Sequence, residues 1–107
     1  MDKVVGLLRQ EEGRPISIAE LVQASGVSER TLRSYFRKCF GVGPHRYLHV
    51  RRLHLIRASL AISEAHHETV ANVAKRFGYA DAGRMAAEYL DLFGEYPHQA
   101  LERRLTE

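Results

Sequence analysis

The sequence predicts an all-α chain in which a unit of helix, tight turn and helix is written twice, with one long helix between the copies. Two observations predict it. First, "IAELVQASGVSERTLRSYFRKCFGVGPHRYL" is matched by "VANVAKRFGYADAGRMAAEYLDLFGEYPHQAL", with one residue inserted near Ala80. Ala19 meets Ala71 and Gly26 meets Gly78; beyond the insertion Leu32 meets Met85, Phe36 meets Tyr89, Phe40 meets Phe93, Gly41 meets Gly94, Pro44 meets Pro97, His45 meets His98 and Leu48 meets Leu101. Second, apolar residues recur at helical intervals in both copies, and no segment alternates in the manner of a half-buried strand.

Each element has its own local reason. Val4, Val5, Leu7 and Leu8 make an opening helix that closes over the first copy and ends near Gly13 and Pro15. Ser17 and Glu20 have the spacing of a capping box ahead of Ile18, Leu21 and Val22. Gly26 stops that helix, because glycine enters the left-handed conformation without a Cβ clash. Ser28 caps the next helix, in which Leu32, Phe36 and Phe40 step by four into one buried stripe, and Gly41 and Gly43 end it. Pro44 opens a helix that runs through Tyr47, Leu48, Leu53, Ile56 and Leu60 to about Ser63; about 19 residues at 1.5 Å each give a rod of roughly 28 Å. "EAHHE" follows as a polar joint. Thr69 caps the next short helix, Gly78 ends it, Asp81 caps the one after, and Pro97 opens the last. These signals place a first subdomain at 1–44, a linking helix at 45–64 and a second subdomain at 65–107. Phe36, Phe40, Tyr89, Leu92 and Phe93 are expected in the core, with Cys39 as a small packing residue beside Phe40.

Composition narrows the function. A chain of 107 residues has little room for an enclosed catalytic cleft. Apolar residues at 45% against 27% charged are the balance of a folded soluble protein. A single cysteine forms no internal disulfide, no signal peptide or membrane span is visible, and the expected location is the cytoplasm. The net charge of +3 is unevenly distributed. Between Ser17 and Leu48, Arg30, Arg33, Arg37, Lys38 and Arg46 oppose only Glu20 and Glu29; between Thr69 and Leu101, Lys75, Arg76 and Arg84 face Asp81, Glu88, Asp91 and Glu95. The first copy is basic and the second slightly acidic.

Arg30, Arg33, Ser34 and Arg37 recur at i, i+3, i+4 and i+7, on the face opposite Leu32 and Phe36. A helix with its inner side fixed by a glycine-turned partner and guanidinium groups on its free side fits the major groove in width and charge, where arginine grips guanine O6 and N7 together. No glycine-rich phosphate loop, nucleophile elbow or catalytic carboxylate pair is present, and Glu11 with Glu12 reads as an acidic helix end. His45 with His49 and His66 with His67 read as structural or surface histidines, so neither a metal nor a cofactor is expected.

At this point the chain resembles the DNA-binding domain of AraC/XylS-type transcriptional regulators. The resemblance covers nearly all of it and is most specific in "VANVAKRFGYADAGRMAAEYLDLFGEYP", where Ala74, Gly78, Tyr79, Tyr89, Phe93, Gly94 and Pro97 stand in expected places. It implies two helix-turn-helix subdomains, each a homeodomain-like three-helix unit, joined by the long helix and placing their recognition helices in successive major grooves of promoter DNA. The implied base readers are Arg30, Arg33 and Ser34 in the first copy. In the second, the matching stripe is Ala82, Gly83, Arg84, Ala86 and Ala87, of which only Arg84 donates side-chain hydrogen bonds, and Leu90 departs from the usual polar content. Phosphate contacts are expected from Arg37, Arg46, Arg76 and Arg51 or Arg52, with backbone amides at the helix starts near Ser17, Ser28, Thr69 and Asp81. The resemblance further implies contact with RNA polymerase and a separate effector-sensing or dimerisation domain; the chain then reads as a fragment or a short member. Two other readings are a protein-interaction module using an exposed Ala86, Ala87 and Leu90 patch, and the DNA-binding portion of a larger repair enzyme.

Overall fold

The computed structural model describes residues 2–11, 13–62 and 69–106; of Asp2 and residues 104–106 only the backbone is described. Every regular element among them is helical: α1 (Asp2–Gln10), α2 (Ile18–Ser25), α3 (Glu29–Phe40), α4 (Pro44–Ile62), α5 (Val70–Arg76), α6 (Ala82–Phe93) and α7 (Pro97–Thr106). The helix end at Ser63, the polar joint with His66 and His67, and Glu12 lie outside the described residues.

The backbone parts into two units, one running to Arg51 and the other starting at Arg52. The helix expected to stand as a linker at 45–64 is thus divided: Tyr47 and Leu48 pack on the first core, while Leu53, Ile56 and Leu60 belong to the second.

In the first unit, Val4, Ile16, Leu21, Leu32 and Phe36 form the core, with Leu7, Leu8, Ile18 and Val22 around them. Each fully buried aliphatic side chain contributes about 1.5–3 kcal/mol relative to exposure, which is why α1, α2 and α3 turn one stripe each inward. The expected capping box at α2 is present: Glu20 N–H donates to Ser17 Oγ at 3.1 Å and Ser17 N–H to Glu20 Oε1 at 3.2 Å. Gly26 then adopts φ 73° and its N–H donates to Val22 O. Ser28 Oγ accepts from Thr31 N–H at 3.2 Å and starts α3.

The second unit repeats this plan. Thr69 Oγ1 accepts from Asn72 N–H at 3.0 Å, and Asp81 Oδ1 accepts from Gly83 N–H at 2.8 Å. α5 ends differently from α2. With Gly78 at φ 86°, Tyr79 N–H reaches back to Ala74 O and Gly78 N–H to Lys75 O, the paired bonds of a Schellman turn. The connection after α5 holds five residues against three after α2, and with α5 one residue shorter than α2 this accommodates the single insertion near Ala80. Both recognition-position helices still run twelve residues, and Leu32 with Met85 and Phe36 with Tyr89 are fully buried. Pro44 and Pro97 each open the helix that follows, buried at corresponding positions.

Three expectations about the core need correction. Phe40 is 38% exposed, because it is the last residue of α3, although its ring meets those of Tyr35, Phe36 and Tyr47 with centroids 6.3, 5.1 and 4.6 Å away. Cys39, one step round from the buried stripe, is exposed. Leu92 and Phe93 are half-buried at the rim of the second core.

Candidate nucleic-acid interface

Helix α3 brings Arg30, Arg33, Ser34 and Arg37 together on one exposed face, opposite the fully buried Leu32 and Phe36. Two anchors fix that orientation. The Ser28 cap sets where the helix starts, and Phe36 meets the Tyr35 and Tyr47 rings edge-on, at 5.9 and 5.2 Å between centroids. Along its length α3 carries Arg30, Arg33, Arg37 and Lys38 against Glu29 alone. Glu29 Oε1 lies 4.0 Å from Arg33 Nη2 and 3.3 Å from His45 Nε2; all three side chains are about half exposed or more, so Arg33 remains largely solvated.

Helix α6 is nearly bare by comparison. Arg84 and Gly83 are exposed with Ala87, whereas Ala82, Ala86 and Leu90 are half-buried. The expectation of an exposed Ala86, Ala87 and Leu90 docking patch is therefore corrected: Ala86 and Leu90 stand one turn apart at the border of the stripe that buries Met85 and Tyr89, and only Ala87 of the three is exposed. Arg84 is the helix's one basic residue against Glu88 and Asp91. Its Nε lies 3.8 Å from Glu88 Oε1, with Arg84 77% exposed and Glu88 24%. Glu88 Oε2 in turn accepts a 3.1 Å hydrogen bond from the Tyr79 hydroxyl. Tyr79 is buried, which pushes its phenol above the usual value, and the Arg52 guanidinium lies over its ring at 4.0 Å. Sequence reasoning missed this group. The four-residue step from Arg84 to Glu88 was visible, but the Tyr79 tether crosses the turn and leaves no periodic trace.

The expected phosphate contacts separate into open and engaged groups. Arg37 and Arg46 are exposed. Arg51 is turned inward instead: Nη1 donates to Arg14 O at 2.7 Å, and Nη2 to Glu11 O at 2.6 Å and Leu8 O at 3.4 Å. Those carbonyls belong to the end of α1 and the segment after it, where helix geometry leaves acceptors open; Glu11 O also accepts from Arg14 N–H at 3.1 Å. The expectation for Arg51 is thus replaced by a structural role, and its alternative Arg52 stacks on Tyr79. Arg76 is exposed, its Nη2 donates to Ser59 Oγ at 2.6 Å, and its guanidinium lies 5.8 Å from the Phe77 ring centre.

Helix starts also differ. At Ser17, Glu20 closes the capping box and binds Arg14, whose Nη2 lies 2.7 Å from Glu20 Oε2 while its Nε lies 3.0 Å from Glu11 Oε2. The Arg14 bond, then the Ser17 N–H, holds the Glu20 carboxyl below its usual range. Acidic side chains already occupy this site, and at the head of α6 the Asp81 carboxylate does the same. Both oppose a phosphate there. Ser28 and Thr69 cap with neutral hydroxyls; the first turn of α3 carries the half-exposed Glu29, whereas that of α5 has no acidic residue to offset its partial positive end. Among the described residues no group of three or more His, Cys, Asp or Glu side chains gathers as a metal site, and no helix is long and apolar enough to cross a membrane.

Comparison with known proteins agrees with this geometry. A family model described as a helix-turn-helix domain matches residues 21–103. The chain is 34% identical over 103 residues to XylDLEGF operon transcriptional activator 1 of Pseudomonas putida, covering 96% of this chain and 31% of that protein. It is 32% identical over 97 residues to the probable thc operon regulatory protein of Rhodococcus erythropolis, covering 91% of this chain and 29% of that one. The chain therefore spans about a third of the length of these relatives. A solved structure of a probable AraC family transcriptional regulator from Rhodopseudomonas palustris matches with a TM-score of 0.76 at 28% identity, over 96% of this chain and 94% of that one. The DNA-binding domain of AdpA, solved in complex with a target DNA, shares the fold with a TM-score of 0.76 at 21% identity, over 98% of this chain and 89% of that one. Built from a doubled helix-turn-helix unit and matched by the family model over most of its length, the chain belongs to the AraC/XylS family of DNA-binding transcriptional regulators, a family of transcription factors and not of enzymes.

Proposed function

We propose that the domain reads promoter DNA chiefly through α3, with Arg30, Arg33 and Ser34 at base edges in a major groove and Arg37 on the adjoining backbone. The observation that carries this reading is the exposed row of three guanidinium groups and one hydroxyl on a helix whose opposite side is fully buried. A helix of about 10–12 Å diameter fills a major groove about 12 Å wide, so side chains on its free face meet base edges without further adjustment. Helix α6 enters a neighbouring groove with Arg84 as its one polar base contact, and it acts mainly as a second point of docking. Arg46 and Arg76 serve as phosphate contacts, helped by the hydroxyl-capped amides at Ser28 and Thr69.

By analogy with the operon activators it resembles, the domain works in the cytoplasm as the DNA-binding part of an activator that contacts RNA polymerase. The greater length of those relatives supports a companion effector-sensing or dimerisation domain in the whole protein.

Selecting bound duplexes from a random library tests the reading. Wild type should enrich two half-sites roughly 10 base pairs apart. Arg33→Ala should relax preference in the half-site read by α3 and weaken binding by about 1–3 kcal/mol. Arg84→Ala should relax less. Enrichment of no sequence, or a greater loss of preference from Arg84→Ala than from Arg33→Ala, would refute the assignment.

A further inference from the structure

We infer that Glu88 is a positioning residue for base reading: tethered by the Tyr79 hydroxyl, its carboxylate holds the Nε edge of Arg84 and leaves both terminal nitrogens to grip a single base. The inference rests on Arg84 being a base reader, as proposed above.

Three observations combine. Long side chains on a helix lean toward its N-terminus, so the Glu88 carboxylate comes up beside Arg84 from one turn behind, and it is Nε that faces Oε1 at 3.8 Å. The carboxylate is itself fixed. Its other oxygen accepts from Tyr79, which is 7% exposed and covered by the Arg52 guanidinium. Finally, Arg84 is 77% exposed, and an ion pair so open to water adds little to folding stability. Its effect falls on direction.

The companion pair on α3 shows what lacks this device. Glu29 is 48% exposed and its second contact is His45, itself 75% exposed, so the partner Arg33 meets is held by a side chain that stands in solvent. Arg33 has Arg30, Ser34 and Arg37 beside it; Arg84 has no polar neighbour at Ala82, Gly83, Ala86 or Ala87. A solitary reader depends more on being held in its reading pose. Each torsion has three staggered wells, so restraining one or two torsions favours a single pose roughly 3-fold to 10-fold. Since Nη1 and Nη2 are the groups left outward, the partner chemistry is that of guanine, whose O6 and N7 accept two parallel hydrogen bonds.

The test uses the duplex selected by the wild-type chain and its single-base variants, with binding followed by fluorescence anisotropy and folding by thermal melting. Arg84→Ala should abolish the preference for guanine at one position, a change of about 5-fold to 15-fold, at the low end for a bidentate contact and smaller than that from Arg33→Ala. Glu88→Gln keeps an acceptor for Tyr79 while removing the charge, and Tyr79→Phe removes the tether while keeping the charge. Each should lower that same preference roughly 3-fold to 10-fold and leave the positions read by α3 unchanged. If Glu88→Gln instead tightens binding to every sequence alike and Tyr79→Phe changes nothing, Glu88 is only a repulsive charge and the inference is overturned. Preference lost in Arg84→Ala but kept in both other variants likewise overturns it alone. Preference unchanged in Arg84→Ala removes the base-reading role on which it stands.

Discussion

Replacing Arg51 by methionine separates a structural arginine from a DNA contact. The guanidinium makes two short bonds, of 2.6 and 2.7 Å, and a longer one of 3.4 Å to the carbonyls of Glu11, Arg14 and Leu8. Hydrogen bonds involving a charged partner contribute about 1.5–3 kcal/mol each. Two considerations bring the sum down: Arg51 is only half-buried, and the Arg14 carbonyl lies at the surface, where water replaces the lost donor. The expected loss for Arg51→Met, which keeps much of the aliphatic stem, is therefore about 2 kcal/mol. With a urea m-value near 1 kcal/mol/M for so small a unit, the midpoint should fall by about 2 M. Hydrogen exchange read by mass spectrometry should place the loss in α1 and the segment that follows. In the folded variant the dependence of DNA affinity on salt should match wild type, because a vanished phosphate contact would reduce that slope by about 1. Unchanged stability together with a reduced slope would refute the structural role and restore Arg51 to the phosphate set.

Other consequences follow from single groups. Gly26, at φ 73°, should lose about 1 kcal/mol on change to alanine, whereas Gly6, inside α1 with nothing within 4 Å of an added Cβ, should gain roughly 0.5–1 kcal/mol; urea titration of both variants checks the contrast. The buried Tyr89 hydroxyl has no hydrogen-bond partner among the described residues, so Tyr89→Phe should be neutral or up to about 1 kcal/mol more stable, and a clear loss would contradict this. Glu20 and Glu95 titrate below their usual range, held there first by Arg14 and Arg103 respectively. A carboxyl whose folded value lies below its unfolded value contributes stability above the ordinary range, and that contribution is lost on acidification, here from about pH 5 downward. Tyr79 and Tyr89 are raised by burial, so their contribution is intact below about pH 10 and lost above it. Melting temperature against pH should therefore fall at both ends.

How much was legible depended on how far each signal travelled along the chain. Caps and stops at Ser17, Gly26, Ser28, Thr69, Gly78 and Asp81 act within five residues of themselves, and the structure places them where the spacing put them. The stripe through Leu32 and Phe36 obeyed the same local period but failed at Phe40, since a period continues past the point where a neighbour stops covering it. Cys39 failed with it. For Arg51 the acceptors lie 37 to 43 residues away, and for Glu88 the tether is nine residues back across a turn. Residue type alone suggested a surface cation and a surface anion. Only packing assigned one to a helix end and the other to the side of Arg84.

The sparse outer side of α6 also marks where new recognition is easiest to graft. Any side chain added at Gly83 would bring its Cβ to 3.2 Å from Asp81 Oδ1 and disturb the bond that starts the helix. Ala87 carries no such obligation and is exposed. On the proposed docking of α6, a longer polar residue there would add vocabulary without touching the hydrophobic interior, which makes Ala87 the point for retuning operator preference that this reading singles out.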